Sequence, residues 1–143
     1  MRKLYLDELS VGSWVSYGGE PGCFVVRLDG VYLCCVGGSV VRYGDLDMSL
    51  LEPLLLDDVL LRGFGFVPAK GENVWLLCRG GVRLTVSLRM RGGRWLSRRC
   101  ALTGSVTPTW NEEIRYVHEL QRWWVEKVLV PFGIGMDLEW RVV

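Results

Sequence analysis

Val82-Arg83-Leu84-Thr85-Val86-Ser87-Leu88-Arg89-Met90-Arg91 alternates apolar and polar residues over ten positions without a break. Side chains of a strand point to opposite faces in turn, so this is the pattern of a half-buried β-strand with one apolar and one wet face. Gly80-Gly81 joins it to the run from Val74 to Cys78, and Gly92-Gly93 joins it to the run from Trp95 to Leu102, which makes a β-meander. Two registers compete for the second hairpin. A three-residue loop that includes Arg94 sets Met90 against Leu96, Val86 against Cys100 and Leu84 against Leu102. A two-residue loop sets Leu88 against Ser97 and Val86 against Arg99. Apolar matching favours the three-residue loop, because register follows the buried face.

The same region holds the main charge asymmetry. From Asn73 to Asn111 there is no Asp or Glu, while Arg79, Arg83, Arg89, Arg91, Arg94, Arg98 and Arg99 give the segment +7. Ten basic against sixteen acidic residues leave −6 for the rest of the chain. On the expected register Arg83, Arg89, Arg91 and Arg99 share the outer face of the sheet beside Trp95, with Arg94 in the loop. Basic groups interleaved with an aromatic, and free of acids, suit a phosphate backbone and base stacking. The competing reading is a solvated strand face whose arginines pair with acids from elsewhere, such as Glu112 and Glu113.

Working back toward the N-terminus, the residues from Leu9 to Leu54 read as short strands broken by glycine. Gly18 to Gly22 reads as a turn, and Asp29-Gly30 between two β-prone runs is a hairpin signal. Four or five short strands in so little chain predict a curled sheet or SH3-like barrel. Asp57 and Asp58 then open a short helix to about Arg62, since negative charge favours a helix N-terminus, and Gly63 or Gly65 closes it in a left-handed cap.

Working forward, Thr109 to Val128 reads as a long amphipathic helix. Thr109 with Glu112 fits a capping box, Asn111 is an alternative N-cap, and Ile114, Val117, Gln121, Trp124, Val125 and Val128 form one stripe. Adjacent Trp123 and Trp124 predict one indole inward and one at a rim, a candidate interface for a partner or a second copy. Leu138 to Val143 reads as a last edge strand.

Other chemistries find little support. The chain has 143 residues, enough for one domain or two very small ones. No apolar run approaches the roughly 20 residues that span a bilayer, and Asp7 and Glu8 interrupt any export signal, so a cytoplasmic location without membrane contact is expected. Five cysteines, an odd number, then read as free thiols packed as small hydrophobes. Cys34 and Cys35 are vicinal and face opposite sides of a strand, so no four-ligand metal set forms. None of the 18 glycines sits in a phosphate-loop motif, and no cofactor is expected. His118, the one histidine, is adjacent to Glu119 on a helix. The two point about a third of a turn apart, so His118 reads as a structural, half-buried residue and not as a base.

One resemblance adds to this. Leu51-Glu52-Pro53-Leu54-Leu55-Leu56, an acidic helix start, Gly65-Phe66, a meander, and then Ile114-Arg115-Tyr116-Val117-His118-Glu119-Leu120-Gln121 resemble a group of small proteins of gut anaerobes and their phages or mobile elements. The likeness covers about residues 50 to 125. After Gln121 the pattern calls for Asn, an aromatic pair and a Leu-Thr-Gly turn, whereas Arg122-Trp123-Trp124 runs on to Pro131. The resemblance implies no activity, cofactor or catalytic residue, and points to a binding or assembly role.

The expected molecule is therefore α+β. A small N-terminal curled sheet or SH3-like barrel (1–54) precedes an antiparallel meander packed on one long C-terminal helix (55–143). Its expected role is a non-enzymatic binding module, touching nucleic acid or another polyanion through Arg83, Arg89, Arg91, Arg94, Trp95 and Arg99. The alternative is an assembly protein that forms homo-oligomers through Trp123 and Trp124.

Overall fold

The computed structural model describes residues 4–70, 73–79, 81–91, 94–104 and 110–129. The expected strand from Leu138 to Val143 lies outside them. The chain divides into two compact units, Met1–Leu55 with Tyr116–Gln121, and Leu56–Arg115 with Arg122–Val143. Both are built on antiparallel sheets, and the α+β character is carried by two short helices.

The first unit is a curled half-barrel of five strands: β1 (Trp14–Tyr17), β2 (Glu20–Arg27), β3 (Gly30–Cys35), β4 (Val40–Arg42) and β5 (Leu51–Glu52), in the order β4-β3-β2-β1-β5. Two 3-10 turns, Tyr43–Asp45 and Met48–Leu50, lead from β4 to β5. Val15, Phe24, Leu33, Cys35 and Leu51 share the core with Leu4. The β1–β2 turn is shorter than the five residues expected. Gly18 and Gly19, at φ 58° and 86°, complete it alone, because two consecutive positive φ angles match the twist of the flanking strands. Pro21 and Gly22 then join β2, where a Cβ on Gly22 would come within 3.1 Å of Leu33 Cδ1. The next turn is Leu28-Asp29, with Gly30 already paired to Arg27.

The same unit takes in Tyr116–Gln121, and one side chain there ties the segment before β1 to it. Gln121 Nε2 donates to the Gly12 carbonyl at 2.6 Å, and Gln121 Oε1 accepts the Trp14 N–H at 2.9 Å. One side chain thereby serves a buried backbone N–H and a part-buried carbonyl.

The second unit opens with α1 (Asp58–Gly63). Asp57 caps it, its Oδ1 accepting the Leu60 N–H at 2.8 Å. Gly65, at φ 94°, donates to Arg62 O while Phe66 donates to Leu61 O, the paired bonds of a Schellman ending. Five strands follow in simple meander order: β6 (Val67–Pro68), β7 (Val74–Arg79), β8 (Val82–Arg91), β9 (Arg94–Gly104) and β10 (Trp110–Glu113). Val82, Leu84, Val86 and Leu88 are buried, while Arg83 and Arg89 are exposed, as the alternation predicts.

Two expectations are corrected. The long helix from Thr109 does not form: Trp110–Glu113 is the outer strand of the sheet, and α2 runs only from Val117 to Trp124, continued by a π-helical turn Val125–Leu129. The capping-box reading rested on local preference, worth tenths of a kcal/mol per residue. Against it stand the backbone groups of β9 between Arg99 and Leu102, which Trp110–Glu113 pairs. The second correction concerns the hairpin tip. The body of β8–β9 keeps the expected register, with Leu84 opposite Leu102 and Val86 opposite Cys100, but Met90 faces Trp95 and Arg91 faces Arg94. The register shifts between Arg89 and Met90, so Leu96 is the extra residue of a β-bulge.

Replacing Gln121 by Leu should remove the side-chain acceptor of the buried Trp14 N–H and the donor to the part-buried Gly12 carbonyl, at roughly 1–3 kcal/mol each. Urea unfolding should then show a loss of about 2–4 kcal/mol.

Candidate nucleic-acid interface

Arg83, Thr85, Ser87 and Arg89 of β8 are set out of the core by the burial of Val82, Leu84, Val86 and Leu88, and Arg91 continues their row in register. Register adds neighbours to this row. Cys78 lies opposite Arg83, Arg99 opposite Ser87, Ser97 opposite Arg89, and Arg94 opposite Arg91. By register, Arg91, Arg94 and Arg99 fall in the row of the exposed Arg83 and Arg89. Trp95 does not join them. The bulge places it opposite Met90, in the row that continues Leu84, Val86 and Leu88. The sequence held a signal for this in the conflict between a two-residue Gly-Gly turn and a three-residue register; a bulge satisfies both.

Among the described residues, acids reach this face only at its edge. Glu113 on β10 sits opposite Arg99 and also has Arg115 Nε at 3.7 Å from its Oε1. Glu112 falls in the other row, opposite Cys100. Among the described residues neither Arg83 nor Arg89 has an ion-pair partner, so the solvated-face reading gains an acid at Arg99 and none along β8.

The remaining candidates are placed as follows. Trp123 and Trp124 are both buried, at 5% and 1% exposure, so the expected exposed indole is replaced by two interior ones. Neighbours on a helix are 100° apart, and a buried stripe of that width holds both. His118 is 3% exposed, more deeply buried than expected. Its Nε2 lies 3.5 Å from Glu8 Oε1, not beside Glu119, and its ring stacks on Tyr116. Glu8 comes from a distant 3-10 turn, Leu6–Glu8, so no sequence spacing announced it. A half-open groove of about 200 Å³ in the first unit is lined by Leu9, Ser10, Val11, Phe24, Val31 and Tyr43 and carries no charge. Among the described residues no three His, Cys, Asp or Glu are placed to hold a metal ion, and no helix is long and apolar enough to cross a membrane.

None of the five cysteines is in a disulfide. Cys35 and Cys100 are buried, Cys23 and Cys34 half-buried and paired across β2 and β3, and Cys78 is exposed, which departs from the expectation of five packed thiols. Burial, with a smaller contribution from Glu112, pushes the Cys100 thiol up to about 12, and burial with Cys34 pushes Cys23 up to about 11.

No protein-family model, curated protein or solved structure matches the chain.

Raised thiol values make two predictions. The folded state keeps the Cys100 proton where an unfolded thiol, near 9.0, releases it. That stabilisation is complete below pH about 9 and is lost as pH rises toward about 12, so urea midpoints should fall over that range and Cys100→Val should flatten the fall. A maleimide at neutral pH should label Cys78 first and reach Cys100 only on unfolding.

Proposed function

We propose that this chain is a non-enzymatic binding module that holds a polyanion, nucleic acid foremost, on the outer face of its second sheet. The observation that carries the reading is the register row of Arg83, Arg89, Arg91, Arg94 and Arg99, which among the described residues is bordered by an acid only at Glu113. A buried apolar row fixes the orientation of the strand, so Arg83 and Arg89 are held outward without any contribution from a ligand. Thr85, Ser87 and Thr103 between them add hydroxyls that suit phosphate oxygens. The first unit, by its strand order and the 3-10 turns before β5, fits an SH3-like barrel, a scaffold that serves here as the companion of the binding sheet. A cytoplasmic setting would bring such a face into contact with nucleic acid.

Neutralised phosphates release counterions, so binding must strengthen as salt falls. The paired substitution Arg83→Glu with Arg89→Glu should weaken binding to a random 20-mer at least about tenfold at low salt, with an unchanged urea midpoint, because both side chains are exposed. Bound polyanion should also slow maleimide labelling of Cys78, which lies across from Arg83. A protein that binds no polyanion at low ionic strength would overturn the reading.

A further inference from the structure

Cys23 on β2 and Cys34 on β3 lie directly opposite each other in the first sheet. Phe24 and Leu33 beside them are buried in the core, so the two cysteines belong to the other face, and both are half-buried there. Cys35 is on the core side and is a neighbour in sequence only. Arg27 pairs with Gly30 across a two-residue turn, and Val36 donates to Pro21 O at 2.9 Å. Hydrogen-bonded pairs recur at every second position, so Cys23 and Cys34 form one of them. Opposed Cα atoms in such a pair stand about 5.5 Å apart, a separation that disulfides commonly span. Their Cβ atoms stand about 4.5–5.5 Å apart against about 3.8 Å in a disulfide, so closing a bond draws the strands together by about 1 Å. A bond closed under that strain is readily reduced.

The two thiols are not equivalent. Arg27 Nη2 donates to Cys34 Sγ at 3.4 Å, which puts a positive charge where the charge of a Cys34 thiolate forms. The same guanidinium lies over the Tyr32 ring, which steadies it beside the sulfur. Cys23 Sγ donates to Phe24 O at 3.7 Å, and burial with Cys34 pushes its thiol up to about 11, so it keeps its proton at neutral pH. Arg42, exposed and opposite Tyr32, adds a second cation to this face, and the acid beside them, Asp29, accepts from the Tyr32 hydroxyl. Two cations against one acid suit a small ligand that carries carboxylates.

Independently of the polyanion reading, we infer that Cys34 and Cys23 are a reversible exchange site for a small, anionic disulfide of the glutathione type, Cys34 attacking first and Cys23 closing the bond across the strands. The Cys34 thiol passes its proton to solvent and its thiolate attacks one sulfur of the ligand. The ligand's S–S bond breaks, one glutathione thiolate leaves, and the other stays on Cys34 as a mixed disulfide. Cys23 then gives its proton to solvent and attacks Cys34 Sγ, and the second glutathione thiolate leaves. Two protein thiols are thereby oxidised by two electrons to the Cys23–Cys34 disulfide, and one glutathione disulfide is reduced to two thiols.

The test incubates the full chain with glutathione disulfide at mildly alkaline pH and reads non-reducing tryptic digests by mass spectrometry. Trypsin cuts after Lys3, Arg27 and Arg42, so Cys23 and Cys34 fall on separate peptides, 4–27 and 28–42. In the wild-type chain the two peptides should be joined without glutathione, and excess reduced glutathione should part them. Exposed Cys78, which faces Arg83 and not a second cysteine, should stop at the mixed disulfide and so reports that exchange has taken place. Cys23→Ser should trap glutathione on peptide 28–42, and Cys34→Ser should leave peptide 4–27 unlinked and without an adduct. Unlinked peptides in a wild-type chain whose Cys78 carries glutathione overturn the inference, and that reading does not depend on how the variants fold. A link that survives in Cys34→Ser puts Cys35 in the bond and overturns it too, as does a link that excess reduced glutathione leaves closed.

Discussion

The pairing of β8 with β9 sets Val86 opposite Cys100 and Leu84 opposite Leu102, and the second sheet is organised by that register. A slip of one residue would carry Val82, Leu84, Val86 and Leu88 from the interior to water. At roughly 1.5–3 kcal/mol for each side chain, the cost of about 6–12 kcal/mol approaches the whole stability of a small domain. No surface effect on the same strand competes with it. The cross-strand repulsion of Arg91 and Arg94 is an effect of about 1 kcal/mol or less. The arginines are therefore where they are because the alternate residues are buried, and their shared face follows from the core.

The tip shows what happens when two local demands disagree. Gly92-Gly93 favours a two-residue connection between Arg91 and Arg94, whereas the buried rows call for one residue more. The bulge at Leu96 lets each prevail in its own part of the hairpin. Its consequence is a change of register, which sets Trp95 opposite Met90 and Arg94 opposite Arg91. Cys100 belongs to the same economy of rows. It is buried because Val86 is, and Glu112 stands opposite it because β10 completes β9.

The first unit depends on backbone satisfaction as much as on its apolar cluster. Gln121 was legible in the sequence only as a polar residue within an apolar stripe. In the structure it serves Gly12 and Trp14, 109 and 107 positions away. The pairing of His118 with Glu8 is of the same kind. Both are side chains whose partners lie far along the chain, and no periodicity encodes such a partner. The helix from Thr109 failed for a related reason: its first turn was claimed by the unpaired edge of β9, a demand that exists only once β9 is in place.

What the sequence by itself determined is the set of features that one strand or one turn can encode. The half-buried β8, the meander, the short helix closed by Gly65-Phe66, the many-stranded N-terminal sheet and the acid-free arginine segment all follow from period, punctuation and composition, which act over a few residues. Tertiary structure alone decided the bulge at Leu96, the place of Trp110–Glu113 in the sheet, the burial of both Trp123 and Trp124, and the main-chain bonds of Gln121. Each of these is settled by groups distant in sequence competing for the same hydrogen bonds or the same apolar volume, and that competition has no outcome until the chain has folded.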